Sequence, residues 1–504
     1  MSGRSSTVGF GAEANVEGGA VVHPTLDDPF VRGLSQPFGG PLGQHAVPPR
    51  RRFWTPVRIV LALACLVFAV HWLQKSPCQS GAWVDLMQYR NFCYSDVLAL
   101  YYAEHLNEGA VPYRDWPVEY PVLTGAFMGI LGLPIHSLAQ DTLEGINEGQ
   151  WFYNLNALVL STLGVATVAV LLNMRRNRPW DVAMLALAPA MVFTATVNWD
   201  LLAVSLTAFA MLAWARKRPI AAGVLLGLAT AAKFYPLLII GPLVLLGLRS
   251  RQVGAVINSL LAAGLTWFAV NAPVMLLWRD SWMRFFELNS ERPIDWGTLW
   301  YIGAHFPTGG GEYGLEPFES LGANIPQLNL MYFVLFALCC VGIGALALFA
   351  PRRPRLAALA FLTIAAFLIV GKVWSQQYVL WLIPLAVLAR PRWGAFLVWQ
   401  AAEVGYFFAF YGELMAASGQ PVFPEWVFVL ASSLRLVTLC VLCGFVVRDI
   451  LKPEQDAVRA SGADDPDGGV FDGTSDAPWV RRLQAWIQGR ETEPTAAEGV
   501  ATTA

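Results

Sequence analysis

Between about residue 55 and residue 448 the chain alternates long apolar runs with short polar breaks, and the breaks are rich in arginine, proline or aromatic residues. Crossing ~30 Å of hydrocarbon takes roughly 20 helical residues. Backbone groups in lipid must be satisfied within their own segment, so these runs predict helices. A β-barrel would show short alternating segments, and none appear. Candidate spans fall near 57–73, 118–137, 151–173, 181–197, 200–215, 219–232, 234–248, 253–278, 328–350, 356–372, 376–389, 393–411 and 426–447. The clusters Arg175/Arg176/Arg178, Arg216/Lys217/Arg218, Arg249/Arg251, Arg352/Arg353/Arg355 and Arg390/Arg392 are expected on the cytoplasmic side. From the third segment onward every cluster obeys that rule; before it the parity is off by one. Either 118–137 is re-entrant, or 151–173 does not cross, or the Arg175 cluster breaks the rule. The expectation is an all-α polytopic membrane protein of about 12 crossings with both termini inside.

Composition agrees, with 56% hydrophobic and only 14% charged residues among 504, too apolar for a large soluble protein. The net charge of −2 says nothing about nucleic acid, and with no basic stripe to suggest it no nucleic-acid partner is expected. Residues 1–52 are polar, rich in Gly and Pro, and end in Arg50–Arg52 without the features of a signal peptide. They read as a disordered cytoplasmic tail, ahead of a membrane domain at 53–448. Residues 449–504 read as an acidic cytoplasmic tail. Its exception is a short amphipathic helix near 478–490, where Trp479, Val480, Leu483, Trp486 and Ile487 oppose Arg481, Arg482 and Arg490. That helix suits the inner leaflet or a docking partner. Cys65, Cys339, Cys340, Cys440 and Cys443 lie in apolar runs as small core residues. Cys78 and Cys93 share the first outer loop and are expected to pair if the compartment is oxidising.

This topology gathers the unusual residues outside. Asp96 opens an amphipathic helix in the first outer loop, with Leu98, Tyr101, Tyr102 and Leu106 on one face. A helix-initiating Asp serves equally as a cap. Lys233 interrupts two short apolar runs in AAKFYP, as the apex of a hairpin reaching an aqueous cavity or as a snorkelling span end. Asp200 follows Asn198-Trp199 with almost no loop, and could cap the next helix. The loop 289–301 holds Arg292, Asp295 and Trp296, and the turn 372–378 holds Gln376 and Gln377. Glu403 lies within a late span. No HExxH, Walker, GxSxG or Rossmann pattern occurs in a believable context, so energy for any reaction must enter with the substrate.

The ordered set resembles the GT-C membrane glycosyltransferases, and most closely glycosyltransferase family 87. The similar features are Asp96 with its aromatic helix, Gly109-x-x-Pro112-Tyr113, Glu119-Tyr120-Pro121, Asn198-Trp199-Asp200-Leu201-Leu202, Lys233-Phe234-Tyr235-Pro236 and Ser375-Gln376-Gln377-Tyr378-Val379-Leu380-Trp381. The resemblance implies a GT-C-like bundle, a sugar donor on a polyprenyl phosphate, an outer-leaflet site, and an acid of the first outer loop as catalytic base. That role carries over to Asp96, with Asp85 as rival. Lys233 and Arg292 are candidates for the donor phosphate. Tyr101, Tyr113, Glu119, Asp200, Asp295, Trp296, Gln376 and Gln377 are candidates for substrate contact. No metal and no cofactor beyond the donor is expected.

The implied activity is inverting transfer of a sugar, mannose first and arabinofuranose next, to a cell-envelope glycan or glycolipid at the outer face of the cell membrane. Membrane lipid and envelope-biosynthesis proteins are the expected partners. A lipid-linked-sugar flippase and an inactive assembly scaffold stand as alternatives. The flippase reading calls for inverted repeats, and only the Lys233 break appears.

Overall fold

Helices begin where the apolar runs begin, and several carry a local start signal. Thr55 accepts the Arg58 N–H with Pro56 in the first turn, Asn147 accepts the Gln150 N–H, and Asn324 accepts the Gln327 N–H. In this computed structural model residues 21–40 and 53–487 are described, apart from 82, 142–144 and 310–311. Six of the described helices are long and apolar enough to cross a membrane: Pro56–Lys75, Val122–Asp141, Glu148–Met174, Val253–Leu277, Ile325–Phe349 and Glu425–Leu451. Shorter apolar helices at Asp200–Ala215, Pro219–Ala232, Leu356–Val370 and Val379–Ala389 pack among them. Exposed leucines, valines and phenylalanines coat the outside of the bundle, as lipid contact requires. The chain is a membrane-embedded, helical protein, with only a small hairpin, Pro307–Gly309 against Glu312–Tyr313, as described strand.

Polar residues collect at two ends of the bundle. One end holds Asp96, Asn198, Lys233, Arg292 and Gln376, and the other holds the arginine clusters. The Val122–Asp141 helix does not run between them. Its whole length lies on the first loop: Gly125 faces Tyr113, Gly129 faces Pro112, Gly132 faces Leu106, and His136 reaches Gly109 and Glu148. Both ends therefore stay on the Asp96 face, and the parity conflict resolves in favour of a non-crossing 118–137 segment. The expected 181–197 span is broken. Pro189 lacks an N–H and forces Ala188 out of helical geometry, leaving short helices Ala183–Ala186 and Pro189–Thr194. That break delivers Asn198 to the Asp96 face.

The Pro219–Ala232 helix lies against Val253–Leu277 at backbone distance. A Cβ on Gly223 would sit 2.1 Å from the Ser259 carbonyl oxygen, and one on Gly227 would sit 2.5 Å from that of Ala263. Only glycine, spaced G-x-x-x-G, permits this approach. The contact fixes the helix whose last turn presents Lys233.

The arginine face departs from expectation. The segment expected as an acidic tail with one short helix folds, over residues 449–487, across this face as a strap. Asp467 meets Arg175 at 2.6 Å, Asp456 meets Arg355 at 2.7 Å, Asp464 meets Arg353 at 2.6 Å and Asp476 meets Arg249 at 2.7 Å. The expected amphipathic helix is present as Pro478–Ile487, with Val480 buried and Trp479 exposed; Arg490 lies outside the described residues. Within the segment read as a disordered leading tail, Pro24–Asp27 and Pro29–Ser35 are helices, and Asp27 pairs with Arg178 at 2.7 Å. Burying an unpaired guanidinium is expensive, so the acids order both segments.

Candidate functional site

Asp96 is held from several directions. The Cys78–Cys93 disulfide closes the loop just before it, with Cα atoms 5.6 Å apart. Lys75, buried at the end of its helix, donates to the Tyr94 carbonyl at 3.1 Å, and the Tyr411 hydroxyl donates to the same carbonyl. The Ser95 hydroxyl donates to the Thr196 carbonyl at 2.6 Å, and the Asp96 N–H donates to the Val197 carbonyl at 2.7 Å. Beneath this seam His71 Nδ1–H donates to the Val192 carbonyl. Its Nε2 is left to accept from Thr196, whose hydroxyl also meets Tyr153. The carboxylate itself accepts from Asn198 Nδ2 at 2.9 Å and from the Tyr94 hydroxyl. Asn198 also donates to the Tyr120 hydroxyl at 2.6 Å. The loop and the broken segment therefore fix Asp96 as a unit.

Lys233 caps the Pro219–Ala232 helix in extended conformation, and its ammonium lies 3.3 Å from Asp200. It also faces the rings of Tyr120 and Tyr378, 5.2 and 5.5 Å away. The second Asp200 contact is the Trp381 indole N–H, at 2.6 Å. Asp200 is fully buried and does not reach the cavity, so it anchors Lys233 instead of meeting substrate.

Asp96, Glu119, Lys233, Arg292, Asp295, Trp296, Gln376 and Gln377 line one cavity of about 610 Å³. Phe234, Leu237, Leu238, Phe285 and Leu288 form its apolar wall, while Tyr94, Tyr120 and Asn198 surround the carboxylate. The loop that supplies Arg292 is braced by Lys372, whose ammonium donates to the Arg292 carbonyl at 2.7 Å and whose carbonyl accepts the Asp295 N–H at 2.9 Å. Glu403, the acid inside a span, is a structural partner: it holds Arg435 at 2.8 Å. Arg435 in turn donates to the Trp374 and Ser375 carbonyls and shapes the turn before Gln376.

Burial pushes the Asp96 carboxyl above its usual range, and the charge of Glu119 adds to the rise; hydrogen bonds from Asn198 and Tyr94, and the charge of Lys233, pull the other way. Burial raises Glu104, behind Glu119, to about 7, against the hydrogen bond it accepts from the Glu119 N–H. Asp295 is raised by burial despite Arg292. The site thus keeps several acids in poor solvent beside fixed cations.

Besides Asp200, three expectations need correction. Tyr101 is fully buried, stacked on Phe152 and bonded to Glu148, so it supports the loop and does not contact the cavity. Tyr113 is also buried and donates to the Tyr120 and Pro121 carbonyls, fixing the turn before the Val122–Asp141 helix. Asp85 is exposed, at positive φ, and away from the cavity. Missing from the expected set were Tyr94, Tyr120 and Tyr378, and the Lys75 brace. A lysine at a span end was the only signal for the last.

Residues 125–373 match the model of glycosyltransferase family 87. A glycosyltransferase family 87 domain thus covers these residues, and that family indicates a glycosyltransferase. A GT-C membrane glycosyltransferase is consistent with the helical bundle. A search of curated proteins returns no match. The family 87 match contains Asn198, Asp200, Lys233, Arg292, Asp295 and Trp296. Asp96, Glu119, Gln376 and Gln377 lie outside it, and join the site through the fold.

Proposed function

We propose that this family 87 enzyme moves a sugar from a polyprenyl phosphate to a cell-envelope glycan or glycolipid, with inversion, at the outer face of the cell membrane. The observation that carries the reading is one cavity lined by the Asp96 carboxylate, the Lys233 and Arg292 cations and an apolar wall. Asp96 takes the proton of the acceptor hydroxyl as that oxygen attacks the anomeric carbon. The bond from that carbon to the phosphate oxygen breaks on the opposite side, and the polyprenyl phosphate leaves with the electron pair. Lys233 and Arg292 meet the charge that develops on the phosphate. Phe234, Leu237, Leu238 and Phe285 line the same cavity as both cations and give the first prenyl units an apolar bed. Mannose is the first sugar to test and arabinofuranose the second.

Orientation follows from charge. With the arginine face cytoplasmic, the passes Pro56–Lys75, Glu148–Met174, the broken 179–197 segment and the later helices amount to about twelve crossings, with both described end segments inside. The Asp96 face is then extracytoplasmic, where an oxidised Cys78–Cys93 pair persists.

The test is transfer by the purified protein in vesicles, with synthetic polyprenyl-phosphate mannose or arabinofuranose as donor. Asp96→Asn should cut transfer by about 10²–10⁴-fold while leaving the melting temperature close to wild type. Undiminished turnover by that variant would refute the base assignment. Movement of intact donor across the bilayer, with no new glycosidic bond, would point to a flippase.

A further inference from the structure

A second concavity of about 430 Å³ opens beside the cavity and shares Trp296 with it. Its other walls include Ile294, Tyr301, His305 and Glu319. We propose that this is a distal sugar subsite, which takes a neutral sugar unit of the acceptor glycan next to the one being extended. The proposal rests on reading the adjoining cavity as the transfer site, and makes the acceptor an oligosaccharide.

The chemistry fits a pyranose or furanose ring. Such a ring has apolar C–H faces and a rim of hydroxyls, so it needs flat aromatic surfaces with hydrogen-bond acceptors at their edges. Tyr301 is buried and stacks on His305 at 3.9 Å with the planes 14° apart, so the rings that face outward are those of His305 and, beside it, Trp296. His305 Nδ1–H donates to the Tyr301 carbonyl at 3.0 Å, which leaves Nε2 facing Glu425 across 3.8 Å. That gap is too long for a direct hydrogen bond and fits a hydroxyl bridging the two. The exposed Glu319 carboxylate lies over Gly314 and has no hydrogen-bond or ion-pair partner among the described residues. Glu319 is the charged residue of the lining, and Glu425 adds a second carboxylate behind His305. Acids repel a phospholipid headgroup and accept from sugar hydroxyls, so a neutral sugar is the better occupant.

The platform is also rigid before anything binds. Thr298 caps the turn by accepting the Tyr301 N–H, and Tyr406 backs Gly297 so closely that a Cβ there would lie 2.4 Å from the ring. A rigid surface loses little conformational entropy on binding.

The probes are octyl α-mannosides and octyl α-arabinofuranosides of one to four residues, with full-length protein in vesicles and both synthetic donors. In the wild type, KM for the acceptor should fall as the probe lengthens from one to three residues. His305→Ala and Glu319→Gln should raise KM for the longer probes by about tenfold and leave kcat and KM for the single-sugar probe unchanged. Equal KM at every length in the wild type, or equal effects of both variants on short and long probes, would overturn the subsite; the second result would mark the loop as a structural or headgroup anchor. Saturation-transfer NMR with the four-residue probes, without donor, separates this from the transfer reading. Binding that depends on His305 in a protein that transfers nothing keeps the subsite and removes the transferase. Transfer without any length dependence does the reverse.

Discussion

Asn198 donates to Asp96 and to Tyr120 at once, so the carboxylate is oriented by the same side chain that orders the aromatic wall. A base must be ionised to work, and burial with the Glu119 charge raises the Asp96 pKa above its ordinary 3.8. Activity is therefore expected to fall as pH drops through that raised value, higher than for an exposed aspartate. Glu119→Gln removes a charge that opposes ionisation, so the acid limb of the pH–rate profile should move to lower pH. A limb that stays put, or moves up, would exclude Asp96 as the titrating base. Lys233 and Asp200 form a buried pair that a single substitution leaves unbalanced. Lys233→Gln is expected to lower stability by about 3 kcal/mol or more, whereas Lys233→Met with Asp200→Asn should recover the fold and still lose at least about 10²-fold in transfer. Melting curves and single-turnover rates on the same preparations separate the two effects. At this scale the sequence exposed Asp96 and Lys233 because charge is rare near lipid. It misassigned Tyr101 and Tyr113 because aromatic spacing does not tell a cavity wall from the packing behind it.

Element geometry decides where those residues stand. The Gly223-x-x-x-Gly227 face lets the Pro219–Ala232 helix touch the Ser259 and Ala263 carbonyl oxygens, and Lys233 rides on its end. Gly223→Val must push the helices apart, and is expected to cost about 1–3 kcal/mol and to lower transfer by displacing Lys233. Unchanged melting and unchanged transfer in Gly223→Val would show that this contact does not position the site. The Val122–Asp141 helix shows why hydropathy alone misleads. Its length and composition match a span, yet Tyr113, Pro112 and Leu106 of the first loop pack along its glycine face, while Ile130 and Leu138 stay exposed. The 179–197 segment fails in the other direction, since Pro189 divides it although it still runs from Arg178 to Asn198.

Across the whole molecule, the strap of residues 449–487 neutralises arginines that the helices bring to one face. Asp456 is disfavoured by burial, but the charge and hydrogen bonds of Arg355 hold its pKa below 3.8 overall. A depressed folded pKa gives stability that is complete above the ordinary value and lost as pH falls through the folded one. The Asp456–Arg355 contribution should thus vanish only below about pH 4. Asp456→Asn is expected to cost about 3–5 kcal/mol at pH 7. Asp465 has the opposite sign: burial raises it to about 6, against the pull of Arg355, so its stabilising contribution is present at low pH and lost as pH rises through that value. Asp465→Asn should raise the melting temperature at pH 8 and leave it unchanged at pH 4. A fall at pH 8 would show that Asp465 is needed ionised. Polar, acidic composition gave no sign that this segment would fold, because its ordering comes from partners over 100 residues away in sequence.

The sequence by itself determined the membrane class, the helical runs and the two rarest charges of the site, because lipid penalises exposed backbone and unpaired charge wherever they fall; the likeness to a glycosyltransferase family lay in the order of its short motifs. Only the tertiary structure decided that Asp96 and Lys233 share a cavity, that a span-like helix stays on one face, and that the trailing acids close the other. Those outcomes depend on which surfaces meet, and local pattern carries no record of that.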